Sequence, residues 1–235
     1  MAFPGFRPAA FQFFRGLKRN NRREWFEARR EIYETEVRAP LRELLEELDV
    51  RLATVAPELV GDPRKSVFRI HRDIRFSKDK SPYKTNAGFW INHRGLGRSA
   101  AAVVHGGAGL YFHFEPRGSM IAAGIWMPPQ PALVRIRGAL VADLRGFEDT
   151  LRRMRRQFGA LSQEAVLQRV PRGYAPAHPA ADWLRYKSFT VSRPVTAEDL
   201  KRGDLPDRLA RSYGAVIPFV RWLNSALGFP PALRR

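Results

Sequence analysis

The hydrophobic period of this chain changes twice, and those changes decide what it can fold into. Pro8 opens a short helix that ends near Gly16 to Asn20. Between Arg22 and Val37, Trp25, Phe26, Ile32, Tyr33 and Val37 recur at helical spacing. After Pro40, Leu41, Leu44, Leu45, Leu48, Leu52 and Val55 form one stripe, and Pro57 with Gly61-Asp62-Pro63 closes it. The period then drops to two. Val67 to Phe76, Phe89 to Asn92, Ala101 to His105, Leu110 to Glu115 and Met120 to Met127 read as strands.

Beyond Pro131 the helical period returns over Ala132 to Val141 and Phe147 to Phe158. A proline-rich connection over 169–181 and short helices near 182–187 and 197–202 follow. A last helix runs from Pro206 to Gly228, with Gly214 and Pro218 expected to bend it. Helices, then strands, then helices, without βαβ alternation, imply an α+β fold. It has a central, mainly antiparallel sheet flanked by N-terminal and C-terminal helices. With neither a linker nor an internal repeat, residues 1–235 are expected to form a single domain.

Composition narrows the function classes. No cysteine is present, so disulfides, thiolate metal sites and cysteine catalysis are excluded. No run reaches the ~18–20 apolar residues of a membrane helix, and residues 1–16 lack a signal-peptide core. The cytoplasm is the expected compartment, with no membrane partner. The net charge of +18 points toward nucleic acid or anionic ligands. Only seven of the 41 basic residues are lysine, a bias that a GC-rich genome produces unaided, so the local distribution matters more than the total. Residues 51–100 concentrate +7.

That block contains the densest chemistry, from Arg69 to Lys84. On a strand Arg69, His71, Asp73 and Arg75 share one face, and Phe68, Ile70, Ile74 and Phe76 the other. Arg72 falls on the apolar side and therefore needs a carboxylate partner or a bulge that turns it outward. The two arginines flanking Asp73 can hold it ionised or offer donors to an anion. Lys78, Lys80, Tyr83 and Lys84 follow, around Pro82.

This stretch resembles the signature R-x-x-R-D-x-R-F-x-x-D-K-x-P-Y-K of an uncharacterised bacterial and fungal family, domain-of-unknown-function family 2461. Arg69, Arg72, Asp73, Arg75, Phe76, Asp79, Lys80, Pro82, Tyr83 and Lys84 match it. Asn20-Asn21 with Trp25-Phe26, Tyr111 to Pro116, Gly124 to Pro128, Pro171 to Tyr174 with His178-Pro179, and Leu184 to Lys187 extend the resemblance over nearly the whole chain. It implies no reaction and no cofactor.

On the Leu110 to Glu115 strand, Tyr111, His113 and Glu115 point one way. If it neighbours the Arg69 strand, His113 and Glu115 meet Arg69, Asp73 and Arg75 across the sheet. The expected site then has Asp73, His113 and Glu115 as acid–base groups. Arg69, Arg72, Arg75, Asp79, Lys80, Tyr83 and Lys84 bind an anionic, phosphate- or carboxylate-bearing small molecule. The arginines repel cations, so no metal is expected. The alternative is a nucleic-acid-binding module, with the same cations on phosphates and Tyr83 or Trp90 stacking on bases. A structural or partner-binding protein is the third class. Gly106 to Gly109 leads from strand to strand and reads as a hairpin turn, not a phosphate loop.

Overall fold

The computed structural model describes residues 3–75, 78–96 and 106–232. The helical N-terminal region comprises α1 (Pro8–Arg19), α2 (Arg23–Glu27) and a continuous rod of α3 (Arg30–Ile32), a π-helical turn (Tyr33–Arg38) and α4 (Ala39–Leu52). The wide turn ends two residues before Pro40. Proline has no N–H to donate to the preceding turn, so the ladder opens there before it resumes. The leucine stripe of α4 is fully buried, whereas Val55 lies beyond the helix and is exposed.

Strands β1 (Leu59–Val60), β2 (Ala87–His93), β3 (Gly109–Phe114), β4 (Met120–Ile125) and β5 (Phe189–Pro194) form an antiparallel sheet in chain order. Between β4 and β5 come α5 (Gln130–Ala142), α6 (Leu144–Phe158) and α7 (Ala181–Leu184); α8 (Ala197–Leu200) and α9 (Leu205–Ala226) close the chain. The fold is therefore α+β, with helices at both ends. Strand β5 is absent from the sequence reading although Phe189-Thr190-Val191-Ser192 alternates, because it is short and flanked by helices. Helix α9 runs unbroken through Pro218. No helix among the described residues is long and apolar enough to cross a membrane.

One face of the sheet carries the core. Phe89, Leu110, Phe112, Phe114, Ile121, Phe189 and Val191 are all buried there. Phe6 stacks on Phe114 at 4.4 Å and Phe11 meets it edge-on at 5.1 Å, which seats the N-terminal segment and α1 on β3. From α9 the Tyr213 hydroxyl donates to the Tyr111 carbonyl at 2.7 Å. Gly124 has φ +116°, and a Cβ there would collide with the Phe189 carbonyl, so β4 and β5 close up only around glycine.

The expected strand Val67 to Phe76 is an irregular edge. The Phe68 N–H donates to Gly88 and the Trp90 N–H to Ser66; farther along, Lys84 donates to Ile70 and Arg72 to Pro82. One residue separates Phe68 from Ile70, but three separate Lys84 from Gly88. The partner segment therefore bulges, and pairing survives only as isolated bridges, Val67 to Phe89 and His71 to Tyr83. Phe76 and the expected strand Ala101 to His105 lie outside the described residues.

The start of the sheet is tied to α9 by Glu58, whose side chain is 2% exposed and accepts from Arg221 at 2.6 and 3.2 Å. Burial pushes the Glu58 carboxyl up, but the Arg221 guanidinium and backbone donors outweigh it and hold it below its usual value. The stabilisation is thus present above the unfolded pKa and is lost as pH falls through the folded one. Arg221→Leu should cost about 3 kcal/mol at pH 7, since it strands the charge. Glu58→Leu/Arg221→Leu should recover most of that loss, and the single variant's deficit should shrink as Glu58 protonates on acidification. Urea unfolding at pH 7 and 4.5 checks all three.

Candidate functional site

The second sheet face is where polar chemistry gathers. Register places Trp90 opposite Tyr111 and Gly88 opposite His113, so these side chains share the face away from Phe89 and Phe112. Phe68 reaches over from the irregular edge, its ring 6.1 Å from Tyr111, and Trp90 lies 5.6 Å from Tyr111. With Met120, Ala122, Trp126 and the β5 residues Thr190 and Ser192 they line a trough of about 420 Å³.

Along β3 a hydrogen-bonded chain runs from this trough. The Tyr111 hydroxyl lies 2.9 Å from His113 Nδ1, and His113 Nε2 lies 3.4 Å from Glu115 Oε2. Burial pushes the Tyr111 phenol up to about 12, so at neutral pH it keeps its proton and donates to Nδ1. A neutral His113 then carries its proton on Nε2, facing the carboxylate. A proton arriving on the Tyr111 oxygen displaces the hydroxyl proton to Nδ1 and the Nε2 proton to Glu115. Such a chain can link a group in the trough to a carboxylate that the group does not touch.

Glu115 lines a second recess, of about 300 Å³, with Phe14, Arg15, Lys18, Arg19, Thr85, Pro116 and Arg117. Arg15, Lys18 and Arg19 stand at i, i+3 and i+4 on the last turns of α1, which puts them on one stripe. Lys18 and Arg19 also suit the negative end of the helix dipole. Among the described residues none of these four cations has a carboxylate within ion-pair distance, while Glu115 sits among them engaged with His113.

The signature segment is arranged differently. Asp73 accepts from the Arg75 guanidinium at 3.0 and 2.6 Å and from its N–H, and these bonds hold its carboxyl far below the usual range. Arg72 does pair with a carboxylate, Asp79, but the pair is exposed, so the burial from which a partner was expected is absent. Asp79 also accepts from the Ser81 hydroxyl and N–H, which, with Arg72, lower its pKa. Lys80 donates to the Ile74 carbonyl at 3.0 Å. Tyr83 is buried with its ring stacked 4.3 Å from Phe26, and its backbone is clasped at both ends by the Asn21 side chain. Burial raises its phenol pKa. Lys84, half-buried 5.4 Å from the Phe68 ring centroid, has its pKa lowered by burial and then by Arg69 and Arg72.

These residues do not converge with His113 and Glu115. The Arg69 segment pairs with the outer edge of β2 and β3 with its inner edge, so β2 lies between them. The Val67 to Phe89 bridge also turns Arg69 and His71 toward the helical layer. There they line a separate recess of about 360 Å³ with Phe26, Tyr33 and Arg64. His71 packs 5.2 Å from Tyr83. Asp73 and Arg75 form an exposed pair with each other.

Missed in the sequence were Tyr111 as a chain member and the cations Arg15, Lys18, Arg19 and Arg117. A signal was available: no acidic residue precedes Glu24, so the α1 cations have no local partner.

The elements define an α+β protein built on a five-stranded antiparallel meander, with an aromatic and a basic recess at the two ends of one hydrogen-bonded chain. The chain belongs to the family described as conserved hypothetical protein (DUF2461), whose sequence profile matches residues 9–222. No curated protein and no solved structure matches it.

Nitrogen-15 chemical shifts of the His113 ring at pH 7.5 should report the Nε2–H tautomer, and Tyr111→Phe should weaken that preference. An Nδ1–H imidazole in the unsubstituted protein would refute the direction of the chain.

Proposed function

We propose that this chain, acting as one domain, binds an anionic small molecule bearing phosphate or carboxylate groups in the basic recess. Tyr111, His113 and Glu115 serve as its acid–base groups. One observation carries this: four cations that have no carboxylate within ion-pair distance among the described residues line the recess at the carboxylate end of the phenol–imidazole–carboxylate chain. Hydrogen-bonded acid–base groups beside donors that no carboxylate engages are the usual marks of a site that handles charge. The anchors on this reading are Arg15, Lys18, Arg19 and Arg117. Asp73, Arg72, Arg75, Asp79, Lys80 and Tyr83 brace the loop beside the sheet, and Arg69 and Lys84 supply positive potential behind Phe68.

Glu115 gives the proposal a sign that a mere basic surface lacks. Its negative charge opposes the anion it sits beside, so Glu115→Gln should tighten binding of inorganic pyrophosphate. Lys18→Gln and Arg117→Gln should each weaken it about threefold to tenfold, on a scale where 1.4 kcal/mol is tenfold. Arg64→Gln, in the other recess, should change nothing. All four side chains are exposed or half-buried, so melting temperatures should stay near that of the unsubstituted protein. Calorimetric titration at fixed salt reads the affinities. Equal responses to Arg64→Gln and Arg117→Gln, or no pyrophosphate binding at all, would sink the proposal. Salt-steep binding of an oligonucleotide that pyrophosphate fails to displace would favour the nucleic-acid alternative.

A further inference from the structure

We propose that the aromatic trough and the basic recess are two ends of one site for a nucleoside polyphosphate, with the base in the trough and the phosphates beside Glu115. This rests on the anion-binding reading and adds the class of ligand.

Tyr111 on β3 lines the trough and Glu115, the residue directly after β3, lines the recess, with His113 bonded to both between them. Four residues of strand at ~3.3 Å each set the two ends about 13 Å apart. A ligand serving both must therefore be elongated, with its charge gathered at one end. Bare inorganic anions and short aryl phosphates fail that test.

The trough end asks for a flat ring. Its walls are Phe68, Trp90 and Tyr111, its lining among the described residues holds neither lysine nor arginine, and its ~420 Å³ suits a ring system. Bases of any kind stack on such aromatic faces. At the rim Glu164 has no cation within ion-pair distance among the described residues, and its carboxylate can accept from an exocyclic amino group. The recess end asks for several negative charges, because four unneutralised cations compensate more than one phosphate. A continuous nucleic acid strand fits less well, since it would run phosphates past the trough, whose lining among the described residues holds no cation.

Calorimetric titration with inorganic triphosphate, adenosine and ATP, without divalent cations and at one salt concentration, tests this. Triphosphate should bind, and ATP should bind about tenfold tighter or more. Ala122→Trp, which fills the trough from a half-buried position, should reduce ATP to the affinity of triphosphate and leave triphosphate unchanged. Trp126→Ala, at an exposed wall, should shrink the same advantage and guards against a folding defect in the first variant. Arg117→Gln should weaken both ligands. ATP no tighter than triphosphate, or an advantage that survives both trough variants, overturns the inference and leaves the anion-binding reading standing. Failure of triphosphate and ATP alike overturns both. An oligonucleotide that outcompetes ATP overturns the inference in favour of a polymer.

Discussion

The antiparallel register of β2 on β3 is the constraint from which the rest of the molecule follows. Phe89 opposite Phe112 sends two rings, 5.1 Å apart, into the core, and the next pair, Trp90 opposite Tyr111, goes to the other face. Side chains alternate strictly along a strand, so a slip of one residue would exchange the two faces entirely. The core face fixes the register. Phe6, Phe11 and Phe14 close on Phe114, and each buried aromatic of this kind is worth several kcal/mol, commonly about 3–5 on truncation to alanine. The second face can then carry histidine, glutamate and an open trough at little cost, because it is not asked to hold the fold together.

Electrostatics divides along the chain for a related reason. Most cations have acidic neighbours in sequence, as with Arg30 and Glu27, Arg38 and Glu34, or Arg202 and Asp204. Exposed pairs like these contribute little to stability but cancel local field. Helix α1 has no such neighbours, and its apolar stripe fixes which way the remaining face looks. When Phe11 and Phe14 dock on β3, the stripe of Arg15, Lys18 and Arg19 is carried to the end of that strand, beside Glu115 and Arg117. Packing thus concentrates charge that the sequence leaves dispersed.

Periodicity made the α+β class and the leucine stripe of α4 legible, whereas the Arg72 and Asp79 pair, expected from burial, is found at the surface. The family signature was legible too, residue for residue. What was not legible was partnership across the sheet. From sequence the Arg69 segment and the His113 strand are two polar alternations, and nothing local says that β2 separates them. Two extra residues between Lys84 and Gly88 break the edge, and such a bulge has no compositional mark here. Strand β5 was lost because a six-residue alternation between two helices is a weak signal. Tyr111 was visible as a neighbour of His113 on its face, but its role depends on burial, which only the folded sheet supplies.

The placement of the Tyr111, His113 and Glu115 chain is rigid for reasons independent of any ligand. Tyr213, wholly buried in α9, donates to the carbonyl of Tyr111 and pins that end to the core helix. At the other end the Glu115 backbone is clamped by Ser119, whose hydroxyl accepts from its N–H at 2.9 Å and donates to its carbonyl at 2.6 Å. Between them His113 is only 13% exposed, with Tyr111 and Glu115 occupying both ring nitrogens. A histidine kept merely as packing needs one satisfied nitrogen and no fixed direction. Here both nitrogens are engaged in sequence, and the backbone of each partner is held by a separate hydrogen bond, from Tyr213 and from Ser119. The three groups are therefore held in one arrangement, and on the proposed function it is this fixed order that would carry a proton. The core face therefore does more than stabilise the protein: through Tyr213 it sets the position of the phenol on the opposite face.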